Sequence, residues 1–222
     1  MKKLKELIKK NTGYFVPSLI YKKKSFSQCG EDLITANLVN HICNKYAVKY
    51  IDIGANHPFS LSNTALFYFR NKPRGGGVLV EPNPELARIL KVRRNKDIVL
   101  NLGISATGKK ETIPFYVIDT HVLSTFSKKE AEECEKMGHK VTKVIRVKTV
   151  DINSIFKKYF PDGDIDLMNL DTEGFDLKIL KTIDYKLYKP KIMCVETVNY
   201  RPKKEQRKQE DILKYLLTKG YK

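Results

Sequence analysis

The sequence predicts an α/β fold built on a doubly wound, mainly parallel sheet. Three observations carry this: apolar runs alternate with helically spaced segments from residue 50 onward, four of the runs end in a carboxylate, and the first opens into a glycine turn. The first strand is Tyr50-Ile51-Asp52-Ile53, and Gly54-Ala55-Asn56-His57-Pro58 carries the chain out of it. Glycine permits both a sharp turn and close approach of a ligand to the backbone. Residues 61–69 have helical spacing, after which Gly75-Gly76-Gly77 leads into Val78-Leu79-Val80 and the segment Glu81-Pro82-Asn83-Pro84. Pro84 near the start, with Leu86, Ile89 and Leu90 on one face, predicts a helix over 84–94. A third strand over 97–102 ends in Asn101-Leu102-Gly103-Ile104-Ser105. Residues 112–118 and 143–150 read as strands flanking a charged helix over 128–136, closed by Met137-Gly138-His139-Lys140. Asp151 is placed to cap a helix over 152–159. The buried run 165–170 is a fourth strand ending in Asp171-Thr172-Glu173-Gly174, followed by a helix over 175–182. A fifth strand over 191–195 ends at Glu196, and helical spacing returns over 204–217.

At 222 residues, with 41% hydrophobic and 30% charged side chains, the chain has the make-up of one soluble domain with a sizeable core. The four cysteines, Cys29, Cys43, Cys134 and Cys194, show no C-x-x-C pairing, so neither a zinc site nor a disulfide framework is expected, and a reducing cytoplasm fits. The N-terminus lacks the apolar region of a signal peptide, and no run is long enough to span a bilayer. Residues 1–24 form a basic segment in which Leu4, Leu7 and Ile8 predict a short amphipathic helix, suited to packing on the domain or to peripheral contact with a membrane. Residues 25–222 form the domain proper, with a cap-like insertion at about 112–150. The net charge of +17 fits a lysine-rich solvated surface, and equally steering toward a phosphorylated acceptor, nucleic acid or an anionic membrane.

In an open sheet, ligands bind outside the carboxyl ends of the strands, so Asp52, Glu81, Asp171 and Glu196 are expected along one rim. Glu81, at the tip of the second strand, is placed to accept both ribose hydroxyls of an adenosine. The spacing 81 − 52 = 29 exceeds the usual interval of about 20 residues, which the segment 59–71 accounts for. A dinucleotide would need G-x-G-x-x-G to cradle its pyrophosphate, whereas Gly54 is followed by Ala55, Asn56 and His57. Adenosine without pyrophosphate points to S-adenosylmethionine. Asp52 and Glu81 then belong to the cofactor half, Asp171 and Glu196 to the reacting centre.

The ordered motifs Ser27-Gln28-Cys29-Gly30-Glu31-Asp32, Asp52-Ile53-Gly54-Ala55-Asn56-His57-Pro58, Ser62-Asn63-Thr64, Glu81-Pro82-Asn83-Pro84, Leu123-Ser124-Thr125-Phe126, Asp171-Thr172-Glu173-Gly174-Phe175-Asp176 and Glu196 resemble the FkbM family of S-adenosylmethionine-dependent methyltransferases. The resemblance covers about residues 25–200. It implies a Rossmann-like class I methyltransferase fold, whose usual C-terminal hairpin is expected to be truncated after Gly220-Tyr221-Lys222. It also implies methyl transfer to oxygen on sugars, polysaccharide precursors or natural products. The cofactor residues it implies are Gln28, Gly30, Glu31, Asp52, Gly54, Asn56, Ser62, Asn63, Glu81, Pro82, Asn83, Gly103, Ser105 and Asp171. Thr172 departs from the apolar residue common between the acids of the fourth-strand motif and adds a hydroxyl near the site. Oxygen as acceptor agrees with the residues: no polar-Pro-Pro-aromatic motif follows the fourth strand, and Cys194 lies within a strand rather than exposed as a nucleophile.

A hydroxyl acceptor must lose its proton, and two routes stand. In one, Asp171 and Glu196 hold a divalent cation, Mg²⁺ or Mn²⁺, an arrangement similar to that of the catechol-type O-methyltransferases. There an amide follows the fifth-strand acid; here Thr197 does, which leaves the third ligand open. In the other, Glu173, His57 or His121 acts as general base. Residues 119–147 are expected to cover the acceptor. Lys140, Lys143, Arg146, Arg201, Lys203 and Lys204 suit a phosphorylated or nucleotide-activated sugar. The competing class is an RNA-binding or RNA-modifying methyltransferase; the charge suits it, but no RNP-type motif or separate binding module is present, and no stable nucleic-acid partner is expected.

Overall fold

The computed structural model describes residues 25–45, 47–71, 76–197 and 210–222. The basic segment 1–24 with its expected helix, and Arg201, Lys203 and Lys204, lie outside the described residues. In chain order the elements are α1 (Glu31–Cys43), β1 (Tyr50–Ile53), α2 (Ala65–Arg70), β2 (Gly77–Val80), α3 (Pro84–Arg93), β3 (Ile98–Leu100), β4 (Gly103–Ile104) and β5 (Glu111–Ile118). They continue with a 3₁₀ turn (His121–Leu123), α4 (Lys128–Lys136), β6 (Val141–Val150), α5 (Ile152–Tyr159), β7 (Leu167–Leu170), α6 (Asp176–Thr182), β8 (Ile192–Val195) and α7 (Glu210–Thr218). Among the described residues no helix is long and apolar enough to cross a membrane.

The main sheet has the order β3-β2-β1-β7-β8, and every neighbouring pair is parallel. Strand order reverses between β1 and β7, which opens a crevice at their carboxyl ends. β1, β2 and β7 are buried along their whole length, as parallel strands covered on both faces must be. One face carries Ile51, Ile53, Val78, Val80 and Leu170 against Ile152, Ile155 and Phe156 of α5, Ile179 and Leu180 of α6 and Ile212 of α7. The other carries Tyr50, Leu79 and Leu167 against Val39 of α1, Phe67 of α2 and Leu90 of α3. The doubly wound, Rossmann-like sheet expected from the sequence is therefore found. The end of the sheet away from the crevice is closed by Asp166, whose buried carboxylate meets Lys45 at 3.2 Å and Lys191 at 2.7 Å.

The sequence reading needs two corrections of detail. The helix expected over 61–69 begins only at Ala65. Its first turn is lost because the Thr64 hydroxyl donates to Asp52 and the Ser62 N–H to the Phe26 carbonyl at 3.1 Å, which holds the segment in a loop. The third strand is cut to Ile98–Leu100, and Gly103–Ile104 crosses to a second sheet of order β4-β6-β5. In that sheet β6 runs antiparallel to β5 and parallel to β4, and the β5–β6 connection carries α4.

Candidate active site

The cofactor turn is built by backbone contacts that demand glycine. Gly54 has φ +86°, and a Cβ there would lie 1.8 Å from the Asp171 carbonyl oxygen. The Gly54 and Ala55 N–H groups both donate to the Val80 carbonyl, at 3.0 and 3.2 Å, and Asp171 N–H donates to Ile53 O at 3.0 Å. The ends of β2, β1 and β7 are thereby laced together beneath the crevice. Asn56, with φ +49°, turns its N–H onto Glu81 Oε2 at 2.8 Å. Asn83 N–H meets Glu81 Oε1 at 2.7 Å, and the Asn83 side chain in turn caps α3 through Glu85 N–H at 3.0 Å. Each carboxylate oxygen of Glu81 thus accepts one backbone donor and retains a second lone pair for a ligand hydroxyl. Burial pushes this carboxyl up to about 7.

At the reacting end, Asp171, Glu173 and Glu196 each bring a carboxylate oxygen within 4.8 Å of the other two. The Glu173 backbone takes a left-handed conformation, φ +50°, and its carbonyl accepts the Thr125 hydroxyl from the β5–β6 insertion at 2.9 Å. Burial, followed by the charge of Glu196, drives the Asp171 carboxyl well above the usual carboxylate range and Glu173 to about 8. Burial likewise raises Glu196, with Asp176 adding repulsion. Asp171 Oδ1 is buried without a hydrogen-bond partner among the described residues. Three crowded carboxylates with an orphaned oxygen fit a hard divalent cation, whose charge would relieve the mutual repulsion. Glu173 brings a carboxylate oxygen to the place where the third ligand left open by Thr197 would be needed.

The match to known sequences agrees with this geometry. The model for the methyltransferase FkbM domain matches residues 52–222. The chain belongs to the FkbM methyltransferase family. Comparison with curated proteins and with solved structures gives no match. Glu81, the glycine turn and all three carboxylates fall within the FkbM span, whereas Gln28, Gly30 and Glu31 precede it. Those three stand at the start of α1, with Gln28 exposed, Gly30 at φ +98° and the Glu31 carboxylate accepting the Cys29 N–H at 2.8 Å.

Several expected residues of this FkbM chain serve the frame instead of the ligand. Asp52 is 2% exposed, and its carboxylate accepts the Thr64 hydroxyl and Asn169 Nδ2, the latter at 2.8 Å. It lies under the crevice in a buried polar chain rather than facing the cofactor. Asn63 extends that chain by donating to Asn169 Oδ1 at 3.0 Å. Arg94, fully buried and missed in the sequence, extends it the other way through Thr64 at 3.2 Å, Tyr50 at 2.8 Å and the ion pair with Asp97 at 2.7 Å; Ser62 Oγ lies 3.5 Å from its Nη1. An arginine at a helix end with an aspartate three residues on was the available signal. Gly103 and Ser105 are likewise given to the second sheet. A Cβ at Gly103 would lie 2.5 Å from the Phe126 ring, and the Ser105 hydroxyl donates to Glu111 at 3.2 Å while accepting Thr107 N–H at 3.2 Å.

His57 and His121 do come together, since the charge of His121 helps depress His57. They do not make a base of His57. Its Nδ1 accepts the N–H groups of Phe59 at 3.1 Å and Ser60 at 2.8 Å, and burial lowers it to about 4. The imidazole is neutral, with its acceptor nitrogen occupied by the loop it shapes. Thr172 does not add a hydroxyl to the reacting centre either: it donates to Asp176 at 3.0 Å, forming the tight turn before α6. Lys143 and Arg146, three residues apart on β6, project from opposite faces, so they do not form one phosphate patch. Cys194 is as inert as the sequence indicated, burial pushing its thiol up to about 12.

Proposed function

We propose that this methyltransferase uses S-adenosylmethionine to methylate a hydroxyl of a sugar, nucleotide sugar or polysaccharide precursor, with a divalent cation held by Asp171, Glu173 and Glu196. The observation that carries the reading is the carboxylate trio within 4.8 Å at the rim, across the Gly54 turn from Glu81. Oxygen donors of this kind suit Mg²⁺ or Mn²⁺, and a cation so placed lowers the pKa of an acceptor hydroxyl and orients it. S-adenosylmethionine, when bound, supplies an electrophilic methyl carbon on a sulfonium.

The chain's own residues do the positioning. Glu81, fixed by Asn56 and Asn83 N–H, holds the ribose hydroxyls, and the Gly54 turn lets the cofactor approach the backbone. The acceptor oxygen must be aligned with the methyl carbon and sulfur at about 3 Å, which the rigid rim and the insertion pinned through Thr125 support. With the cofactor bound, forming the O–CH₃ bond would break the C–S bond and leave its electron pair on sulfur, while the acceptor's proton, made acidic by the cation, would pass to water. An acidic reacting centre works against a polyanionic RNA acceptor. A second reading gives the hydroxyl proton directly to Glu173, whose left-handed backbone aims it from the turn beside Asp171. Titration calorimetry with S-adenosylmethionine, then methyl incorporation into sugar phosphates and nucleotide sugars with and without chelator, tests both. Activity abolished by chelation and restored by Mg²⁺ or Mn²⁺ is expected; activity indifferent to chelation selects the second reading.

A further inference from the structure

The β5–β6 ribbon packs one face on the domain and leaves the other open among the described residues. Phe115 and Val147 are buried on the packed face, where the Phe115 ring lies 4.7 Å from that of Phe126, which in turn meets Phe175 at 6.1 Å. Residues directly opposite in an antiparallel pair share a face, so the register Tyr116↔Val144, Pro114↔Arg146 and Thr112↔Lys148 gathers Tyr116, Arg146 and Lys148 on the open one. There Val144, Arg146 and Lys148 are exposed and Tyr116 is half-buried.

That open face runs up to the reacting centre. Tyr116 and Thr125 exchange both backbone hydrogen bonds, at 2.8 and 3.1 Å, which sets their Cα atoms about 5.5 Å apart with both side chains on the same side. On that side the Thr125 hydroxyl donates to the Glu173 carbonyl at 2.9 Å. The Tyr116 ring is therefore next to the residue that touches the carboxylate trio's own turn, and its hydroxyl has no partner among the described residues. Away from this point the face turns basic. With a rise of about 3.4 Å per residue, Arg146 and Lys148 stand about 7 and 14 Å along β6 from Val144, the residue opposite Tyr116. Arg146 uses one N–H on the carbonyl of Thr112 at 2.7 Å, which draws its guanidinium toward the Lys148 row. Neither cation pairs with a carboxylate among the described residues, and no acid of β5 or β6 lies on this face.

An aromatic ring gives a platform for the apolar side of a sugar, and a guanidinium with an ammonium beyond it suits two successive phosphates, the first held bidentately. We propose that the acceptor is a nucleoside diphosphate sugar, its ring lying on Tyr116 beside the carboxylate trio and its two phosphates on Arg146 and Lys148. The inference rests on the trio being the reacting centre, and it narrows the three proposed acceptor classes to one. It also keeps the phosphates on the ribbon, off the acidic rim that would repel them.

Titration calorimetry of the full chain with a panel of uridine, guanosine and thymidine diphosphate sugars, the matching sugar 1-phosphates and the free sugars tests this. At least one diphosphate sugar should bind, about tenfold more tightly than its 1-phosphate and more tightly still than the free sugar. Arg146→Gln/Lys148→Gln should weaken that binding about a hundredfold, and Tyr116→Ala about tenfold, while Tyr116→Phe keeps most of it. Circular dichroism confirms that each variant is folded, and Tyr116→Leu replaces the alanine variant if that one is not. The proposal is overturned if no diphosphate sugar on the panel binds, if the double variant binds it as well as wild type, or if the free sugar binds as tightly. S-adenosylmethionine titrated into the same samples separates the two readings: a wild-type chain that ignores it sinks the cofactor assignment, whereas cofactor-dependent methylation of a free sugar with no preference for phosphate sinks this inference alone. Salt-sensitive binding of a single-stranded RNA oligonucleotide, lost in the double variant and with no diphosphate sugar bound, would give the face to RNA instead.

Discussion

The carbonyl oxygen of Asp171 occupies the space that a Cβ on Gly54 would need, 1.8 Å from that position. The residue at the head of the cofactor turn and the residue at the head of the reacting centre are thus in backbone contact. Gly54→Ala should force β1 and β7 apart at their tips and strain a positive φ as well, so it should cost several kcal/mol and leave little soluble protein. Expression yield and a urea melt check it; a wild-type melt with full activity would show that the two strand tips do not depend on this contact.

The carboxylate trio should report a cation through stability, independently of catalysis. Mg²⁺ or Mn²⁺ at about 100 times its Kd should stabilise the fold by about 2.7 kcal/mol. In chelator above pH 8, where Glu173 is ionised as well, Asp171→Asn should melt higher than wild type because a repelling carboxyl is gone, and it should lose most of the cation-induced rise. Equal melting curves for wild type with and without the ion would sink the metal assignment.

Glu81 should make both stability and cofactor affinity depend on pH. Its folded value of about 7 lies above its ordinary 4.5, so between those values the folded state holds more protons than the unfolded one, and stability falls as pH rises through that window. The loss should be on the order of 3 kcal/mol by pH 8. Neighbouring carboxyls that are also raised act in the same direction, so the contribution is read as the difference between wild type and Glu81→Gln. Cofactor affinity should instead rise through pH 7, as the ionised carboxylate becomes the better acceptor of ribose hydroxyls. Calorimetry should find that Glu81→Gln binds S-adenosylmethionine roughly tenfold to a hundredfold more weakly, with the pH dependence flattened.

His57 should prove structural. Asn can present an acceptor to the Phe59 and Ser60 N–H groups, so His57→Asn should keep most activity, while His57→Ala should lose 1–3 kcal/mol of stability, roughly the cost of leaving buried donors unpaired. Neither should move the pH–rate profile. A profile that loses its acid limb in the Asn variant would restore His57 as the base.

Arg94→Met should destabilise by about 3–5 kcal/mol, since it leaves the buried Asp97 carboxylate without its ion pair. Urea unfolding measures this, and a change under about 1 kcal/mol would show that the Tyr50 hydroxyl and the Gly77 N–H satisfy Asp97 without the arginine.

The main sheet was legible because buried parallel strands are continuous apolar runs, and three of them, β2, β7 and β8, stop at a carboxylate. The place of Glu81 at the tip of β2 could be read, because it follows from the end of an apolar run in the sequence alone. Asp52 could not be read as a frame residue. Its partner Asn169 lies 117 positions away, and only the β1–β7 pairing brings the two together. Glu173 was seen as a base but not as the third member of the trio, since its left-handed φ is set by the turn around Asp176 and by Thr125 of a distant insertion. The second sheet was hidden for the same reason: its β4–β6 pairing joins Gly103 to Thr149. The late start of α2 was missed because the Thr64 hydroxyl bond to Asp52 and the Ser62 N–H bond to the Phe26 carbonyl outweigh apolar periodicity there.

The Asp52–Asn169 pair bears finally on how the strands find one another. β1 and β7 are otherwise short runs of large apolar residues, and such runs can slide by two positions without turning any side chain to the wrong face. In the native register Asp52 stands beside Asn169. A slide of two would put it beside Leu167 or Asp171, a lone buried carboxylate in one case and two like charges in the other. Assembly errors that apolar packing would tolerate are rejected by one amide, and the two halves of the crevice meet in a single alignment.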